Sequence, residues 1–237
     1  QGVVAYWIFD DIYHAQEGTG KTVIQDLSGN GHDLSIGGWT DYNDLLTDMT
    51  GTSPIYQGGH GLKFPGVNEY LYVPAAQATD FNPGRGNFTV SVRFNAGAYT
   101  GNYRALFEFG GGGGAEGWGV YLRPTVNSLR FEIFGSTGGR QIVNIDFTPG
   151  QDECFVFVCK ASPDWNVDVY RNGVLVTTED WEDWGNVSSS YDLTIGRYTV
   201  TNTQFYDGII YEAAYFSYAL TEQEVKELYG LAKGWTW

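Results

Sequence analysis

Apolar and polar side chains alternate with a period of two along much of the chain, and this predicts strands. Phe88, Val90, Val92 and Phe94 alternate with Thr89, Ser91 and Arg93, a strand with one wet face. Leu129, Phe131 and Ile133 alternate with Arg130 and Glu132, and Val143, Ile145 and Phe147 with Asn144 and Asp146. Residues 3–9 are mostly apolar on both faces and read as a central strand; residues 155–159 are apolar on both sides as well. Shorter strands are expected over 62–64, 70–73, 106–109, 118–122, 193–196 and 208–214. Residues 167–171 and 174–178 flank Asn172-Gly173, the strongest short-range hairpin signal. Residues 12–60 carry no clear period and are rich in Gly, Asp, Asn and Thr.

One segment has helical spacing. Thr221 is an N-cap with Glu224 three residues on, a capping box, and Leu220 and Val225 occupy the staple positions. Val225, Leu228 and Tyr229 form one apolar stripe, and Gly230 suits the position after the last turn. So short an amphipathic helix must lie on a sheet. About a dozen strands and one helix define an all-β class. No repeat, linker or composition break divides the chain, so residues 1–237 are expected to form a single domain. The 33 glycines and 16% aromatic content suit many short strands joined by tight turns. The tail Gly234-Trp235-Thr236-Trp237 suggests a terminal strand or a partner contact.

Charge narrows the partners. The chain holds 28 acids against 13 bases, a formal charge of −15. Such a surface repels phosphate backbones and anionic lipid, which argues against nucleic acid. It leaves neutral sugars and divalent cations. No apolar run approaches the ~20 residues of a membrane helix, and no basic and apolar leader opens the chain. Cys154 and Cys159, five positions apart on one strand, face opposite sides. The ~16 Å between them is too far for a disulfide, so each is expected to be a small buried hydrophobe.

Three motifs carry a family resemblance: Tyr6-Trp7-Ile8-Phe9-Asp10-Asp11; Asp26-Leu27-Ser28-Gly29-Asn30-Gly31-His32-Asp33-Leu34; and the late run Asp207-Gly208-Ile209-Ile210-Tyr211-Glu212 with Tyr215-Phe216-Ser217-Tyr218-Ala219-Leu220-Thr221. In this order the chain resembles, nearly end to end, the LamG-like jelly-roll family of laminin-G and concanavalin A-like lectins and glucanases. The resemblance implies a two-sheet antiparallel jelly-roll sandwich with one short C-terminal helix. It also implies a structural calcium ion where the early turn meets the late strand. By position, Asp26 would bind through its carboxylate, Asn30 and His32 through backbone or side-chain oxygen, and Glu212 from the late strand. The family usually carries Asp just before that Glu, where this chain has Tyr211, so one carboxylate is missing. The same turn can be held by Asx hydrogen bonds with no ion.

Sugars stack their C–H faces on aromatic rings, and the candidate ligand contacts are Trp39 with Tyr42, Trp118, Trp165, and the pair Trp181 and Trp184 in the acidic segment 179–184. Core packing is the competing role for each. Catalytic signals are absent. The Glu-x-Asp-x-x-Glu run of glycosidases on this fold does not occur, and Asp180/Glu182 and Glu222/Glu224 read as solvated acids. The histidines His14, His32 and His60 lack zinc spacing, no Gly-x-Ser-x-Gly elbow is present, and 110–114 reads as a flexible hairpin tip. The expected function is a non-catalytic, calcium-stabilised module that binds a polysaccharide or glycan in an extracellular or surface setting. The alternative is a structural or adhesive surface subunit, such as a virion decoration or cell-envelope protein, that uses the fold for protein contacts.

Overall fold

The computed structural model describes residues 2–9, 15–18, 21–39, 51–52, 60–97, 102–110, 115–123, 127–137 and 139–231. Tyr42, the glycines 111–114 and the aromatic tail 234–237 lie outside the described residues.

Among the described residues seventeen strands follow one another: β1 (Val3–Ile8), β2 (Ala15–Gly18), β3 (Lys21–Ile24), β4 (Leu34–Gly37), β5 (Gly51–Thr52), β6 (His60–Pro65), β7 (Tyr70–Val73), β8 (Phe88–Asn95), β9 (Arg104–Phe109), β10 (Gly117–Leu122), β11 (Ser128–Gly135), β12 (Gly139–Asp146), β13 (Asp152–Lys160), β14 (Asn166–Arg171), β15 (Val174–Asp180), β16 (Leu193–Ile195) and β17 (Asp207–Phe216); helix α1 (Glu222–Leu231) comes last. They form two antiparallel sheets. The first runs β15-β14-β13-β8-β17-β6-β5 with β1 also paired to β17; the second runs β12-β11-β10-β9-β16-β7-β4-β3-β2. This is the two-layered jelly roll expected of the sequence, and β2 to β5 add strands within the stretch that has no period.

The core lies between the sheets. Phe88, Val90, Val92 and Phe94 of β8 and Phe155, Phe157 and Cys159 of β13 face Leu106, Phe107 and Phe109 of β9, Trp118, Val120 and Leu122 of β10, and Leu129, Phe131 and Ile133 of β11. The outer face of the first sheet carries a second apolar cluster. There Cys154, Val156, Val158, Tyr170, Ala214 and Phe216 receive Val225 and Leu228 of α1. The two cysteines thus point to opposite faces and are free thiols. The capping box forms as its residue types dictate: the Thr221 N–H donates to Glu224 Oε2 (2.7 Å), and the Glu224 N–H donates to Thr221 Oγ1 (3.2 Å). The helix continues through Gly230 to Leu231 rather than ending before it. Asn172 (φ 53°) and Gly173 (φ 77°) both adopt the left-handed conformation that the two-residue hairpin between β14 and β15 requires. No described helix is long and apolar enough to cross a membrane.

Two expectations are corrected. First, the polar face of β8 is buried, not wet. Thr89 Oγ1 donates to the Tyr218 carbonyl (2.8 Å) and accepts the Leu220 N–H (3.1 Å), so the segment leading to α1 covers it. Arg93 is 1% exposed, its guanidinium 5.2 Å above the Tyr211 ring. Second, β1 is not central. It pairs with β17 on one edge only, Tyr6 opposite Ala214 and Ile8 opposite Glu212. The turn after β3 covers its other edge.

Candidate functional site

That turn is knit around one carboxylate. Asp26 Oδ1 accepts the N–H groups of Tyr6 (3.0 Å) and Ser28 (2.9 Å); Oδ2 accepts the Ser28 hydroxyl (2.7 Å) and the His32 N–H (3.1 Å). Asn30 Nδ2 donates to the carbonyls of Val3 (2.8 Å) and Val4 (3.0 Å), and the His32 carbonyl accepts Trp7 Nε1 (2.9 Å). His32 Nε2 lies 3.2 Å from Asp80 Oδ2, within ion-pair reach but off the line of a hydrogen bond. The small, oxygen-bearing residues of this turn therefore satisfy the open backbone edge of β1, which would otherwise invite strand pairing.

These residues do not fit a calcium cage. Each oxygen of Asp26 faces two hydrogen-bond donors, and the Asn30 side chain turns its N–H groups, not an oxygen, toward β1. Glu212 lies across β1 from the turn, where the Tyr6 hydroxyl donates to its Oε2 at 3.4 Å. Among the described residues no three His, Cys, Asp or Glu side chains converge to hold an ion. The chain ends do come together as the motifs imply, but through strand pairing and a hydrogen-bonded turn.

The tryptophans separate into two groups. Trp118 and Trp184 are fully buried, and Trp39 is 6% exposed against Phe64. None of these three presents a ring face to a ligand, which corrects the expectation. Their rings fill the gap between the sheets, where large apolar area gains most from leaving water. Trp165 and Trp181 are half-buried at one end of the sandwich. Trp181 stacks on Phe131 (6.1 Å), and Trp165 packs edge-on against Trp184 (4.6 Å). The Arg85 guanidinium, ion-paired with Asp183, covers Trp165 at 5.6 Å.

A polar site lies on the face of the second sheet that points away from the core. Glu108 of β9 and Glu132 of β11 are both opposite Gly119 of β10, so the two carboxylates flank a residue with no side chain. Tyr121 folds back over that gap and donates to Glu108 Oε2 (2.8 Å). A Cβ on Gly119 would sit 2.2 Å from the Tyr121 hydroxyl. Gly119→Ala is therefore expected to push Tyr121 off Glu108 and to lower stability by about 1–3 kcal/mol, as an unmade buried hydrogen bond does; urea unfolding measures this.

Glu132 is 1% exposed. Arg140 of β12 grips it in a fork, Nε to Oε2 at 3.0 Å and Nη2 to Oε1 at 2.8 Å. Arg130 lies 3.8 Å from the same carboxylate, donates to Asn144 Oδ1 (3.1 Å), and stands 5.0 Å over the Tyr103 ring. The loop 197–204 closes the site. Tyr198 and Thr203 bond each other's backbone (3.0 and 3.2 Å), the Thr199 N–H donates to Glu108 Oε1, and Thr199 Oγ1 meets Thr194 Oγ1 at 2.6 Å. A pocket of about 90 Å3 remains, lined by Tyr103, Tyr121, Glu132, Arg140, Tyr198 and Gln204.

Burial dominates the electrostatics. It pushes the Glu108 carboxyl up to about 7, against the opposing pull of its hydrogen bonds from Thr199 and Tyr121 and with a further push from Glu132. Burial also raises Glu132, partly offset by Arg140. The Tyr198 phenol rises to about 12 through burial and then the nearby Glu108.

The sequence reading missed this site, although one signal pointed to it. Glu108, Tyr121 and Glu132 each interrupt an apolar run at the outward parity of its strand, Phe107/Phe109, Val120/Leu122 and Phe131/Ile133.

Comparison with known proteins agrees with the architecture. A profile described as the concanavalin A-like lectin/glucanases superfamily, Laminin_G_3, matches residues 65–226. No curated protein sequence matches the chain. Among solved structures, the receptor binding domain of botulinum neurotoxin C/D mosaic serotype superposes with a TM-score of 0.66 at 13% identity, over 97% of this chain and 51% of that one. The type G receptor binding domain gives 0.64 at 14% identity, covering 98% and 52%. The DC binding domain in complex with rat synaptotagmin II gives 0.62 at 13% identity, covering 97% and 51%. The chain thus spans about half the length of these domains, and at such identities the likeness concerns the fold. With the profile matching well over half its length, the chain belongs to the concanavalin A-like lectin/glucanase superfamily.

Proposed function

We propose that this chain is a non-catalytic binding module that takes a glycan in the outward pocket of the second sheet. The observation that carries this reading is the combination of tyrosine rings with the planar Arg140–Glu132 pair in one recess. A sugar offers C–H faces that pack on aromatic rings, and vicinal hydroxyls that both donate and accept. Arg140, oriented by Glu132, supplies donors, and Gln204 both donors and acceptors. The pocket is small, about 90 Å3, so it takes one part of a glycan rather than enclosing it. Binding is then in the micromolar to millimolar range. The charge of −15 favours a neutral sugar over an anionic polymer.

Catalysis is disfavoured because both oxygens of Glu108 are hydrogen-bonded within the fold and both of Glu132 are held by Arg140. Neither carboxyl is presented to a glycosidic oxygen, as glycoside cleavage demands. Calcium has no part in the reading, since the turn around Asp26 is already satisfied by protein donors. The module would act outside the cell or on a particle surface, where glycans are displayed. Tyr198→Ala and Tyr103→Ala are expected to weaken glycan binding about tenfold each, the value of one lost aromatic contact. A glycan array followed by calorimetry on the hits is the test. Blank arrays, or hits that ignore both substitutions, overturn the reading.

One observation favours a protein partner instead. Val174, Leu175 and Val176 are 64, 47 and 45% exposed on β15, the edge strand of the first sheet. An open apolar edge is a template for another strand, and one similar toxin domain was solved with a bound protein. In this reading the chain is an adhesive or structural surface subunit. Light scattering and pull-down with Val176→Lys would show loss of an assembly that the unaltered chain forms; a strict monomer without partners argues against it.

A further inference from the structure

We infer that the loop 197–204 is a proton-controlled cover for the outward pocket, held shut by Glu108 and released when that carboxylate ionises. The inference rests on the glycan reading only for its effect on affinity; the movement of the loop stands apart from it.

Glu108 ties the loop to the sheet. Its hydrogen bonds come from the Thr199 N–H, the Tyr121 hydroxyl and the Thr199 hydroxyl, and the side chain is wholly excluded from water. The same loop supplies Tyr198 and Gln204 to the pocket, so opening it dismantles one wall. The rest of the attachment comprises Thr194 Oγ1 to the Arg197 carbonyl (2.8 Å) and to Thr199 Oγ1, the Ala105 N–H to the Gln204 carbonyl (3.2 Å), and the ion pair of Arg197 with Asp192 (3.6 Å).

The charged and titratable groups around Glu108 decide the direction. Tyr121 approaches from β10, Glu132 from β11, and Tyr198 from the loop itself. The guanidinium groups of that face are engaged elsewhere. Arg140 and Arg130 lie against Glu132, and Arg197 stacks 3.6 Å from Tyr70 and bonds Asn202. Ionised Glu108 therefore has a like charge nearby and no water. Opening the loop hydrates it.

Burial lifts Glu108 from 4.5 to about 7 in the closed form. The closed form is thus fully favoured below the ordinary value and loses ground as pH rises through the folded one. The closed-to-open ratio falls up to about tenfold per pH unit across this window, on the order of 300-fold in all.

Amide hydrogen exchange, corrected for the intrinsic pH dependence, reads the loop directly. The Thr199 and Thr203 amides are expected to lose protection by tens to hundreds of fold between about pH 5 and pH 8, while Phe157 in β13 stays unchanged. Glu108→Gln keeps the shape without the charge and should hold loop protection flat with pH. Tyr121→Phe removes a bond that steadies the ionised closed form, so the loss of Thr199 protection should continue to higher pH and reach a larger total than in the unaltered chain. This second variant decides the matter if Glu108→Gln fails to fold. Equal Thr199 protection at both pH values, or an unaltered pH profile in Tyr121→Phe, overturns the inference. Blank glycan arrays with a pH-sensitive loop would sink the ligand reading alone. Glycan binding over a pH-insensitive loop would sink the cover alone.

Discussion

Asp26→Ala is expected to lower the free energy of unfolding by about 4 kcal/mol, equally in calcium and in EDTA. Asp26 is 3% exposed, and its carboxylate holds the N–H groups of Tyr6, Ser28 and His32 together with the Ser28 hydroxyl. Alanine leaves the three N–H groups without this acceptor, at about 1–3 kcal/mol for each one that stays buried, while the Ser28 hydroxyl keeps the Val4 carbonyl (3.0 Å) as a partner. Hydration of the exposed side of the turn recovers part of the sum. The loss also unpins β1, whose edge is held by Ser28 and Asn30 through the carbonyls of Val3 and Val4. Asn30→Ala is expected to cost less, about 1 kcal/mol, because Asn30 is exposed and water replaces its bonds. Urea titrations with and without calcium measure both. A midpoint that rises with calcium in the unaltered chain, and no longer does so in Asp26→Ala, would restore the ion to this turn.

Trp118→Ala is expected to cost about 4 kcal/mol, the usual loss for a large buried aromatic. The ring lies parallel to Tyr215 at 5.3 Å and edge-on to Phe107 at 5.0 Å, and its Nε1 donates to the Phe81 carbonyl at 3.1 Å. Removing it opens a cavity between the sheets and orphans a buried carbonyl. Glycan affinity of the folded fraction should be unchanged, since Trp118 faces the core while the pocket lies on the opposite side of β10. A variant as stable as the parent but blind to glycan would place the ligand at this ring after all.

Much of the fold was legible because alternation is a local property. Phe88 to Phe94, Leu129 to Ile133 and the Asn172-Gly173 hairpin read correctly, as did the helix behind Thr221, because each signal sits within a few residues. What escaped depended on pairing across distance. β2 to β4 draw their stability from β7 and from one another, and β5 from β6, not from an internal period. Thr89 and Arg93 look wet in sequence, but the segment after Phe216, more than 120 residues away, covers Thr89, and Arg93 packs on the Tyr211 ring of β17. The tryptophans were ambiguous for the same reason: Trp118 and Trp165 have similar local surroundings, and only the packing of the sheets buries one and half-exposes the other. The turn around Asp26 was found by its residue types. Those types serve hydrogen-bonded turns and cation sites alike, and the direction of the N–H groups, invisible in sequence, separates the two. The outward pocket needed the register that sets Glu108 and Glu132 opposite the same glycine.

The most direct test of the binding face is a map of backbone amide shifts while a glycan hit is titrated into the labelled chain. The account predicts perturbations clustered at Gly119, Tyr121, Glu132, Arg140 and residues 198–204, with Trp118, Trp184 and the turn 26–33 silent. Shifts confined to that turn, to the Trp165–Trp181 end or to the edge strand β15 would contradict it.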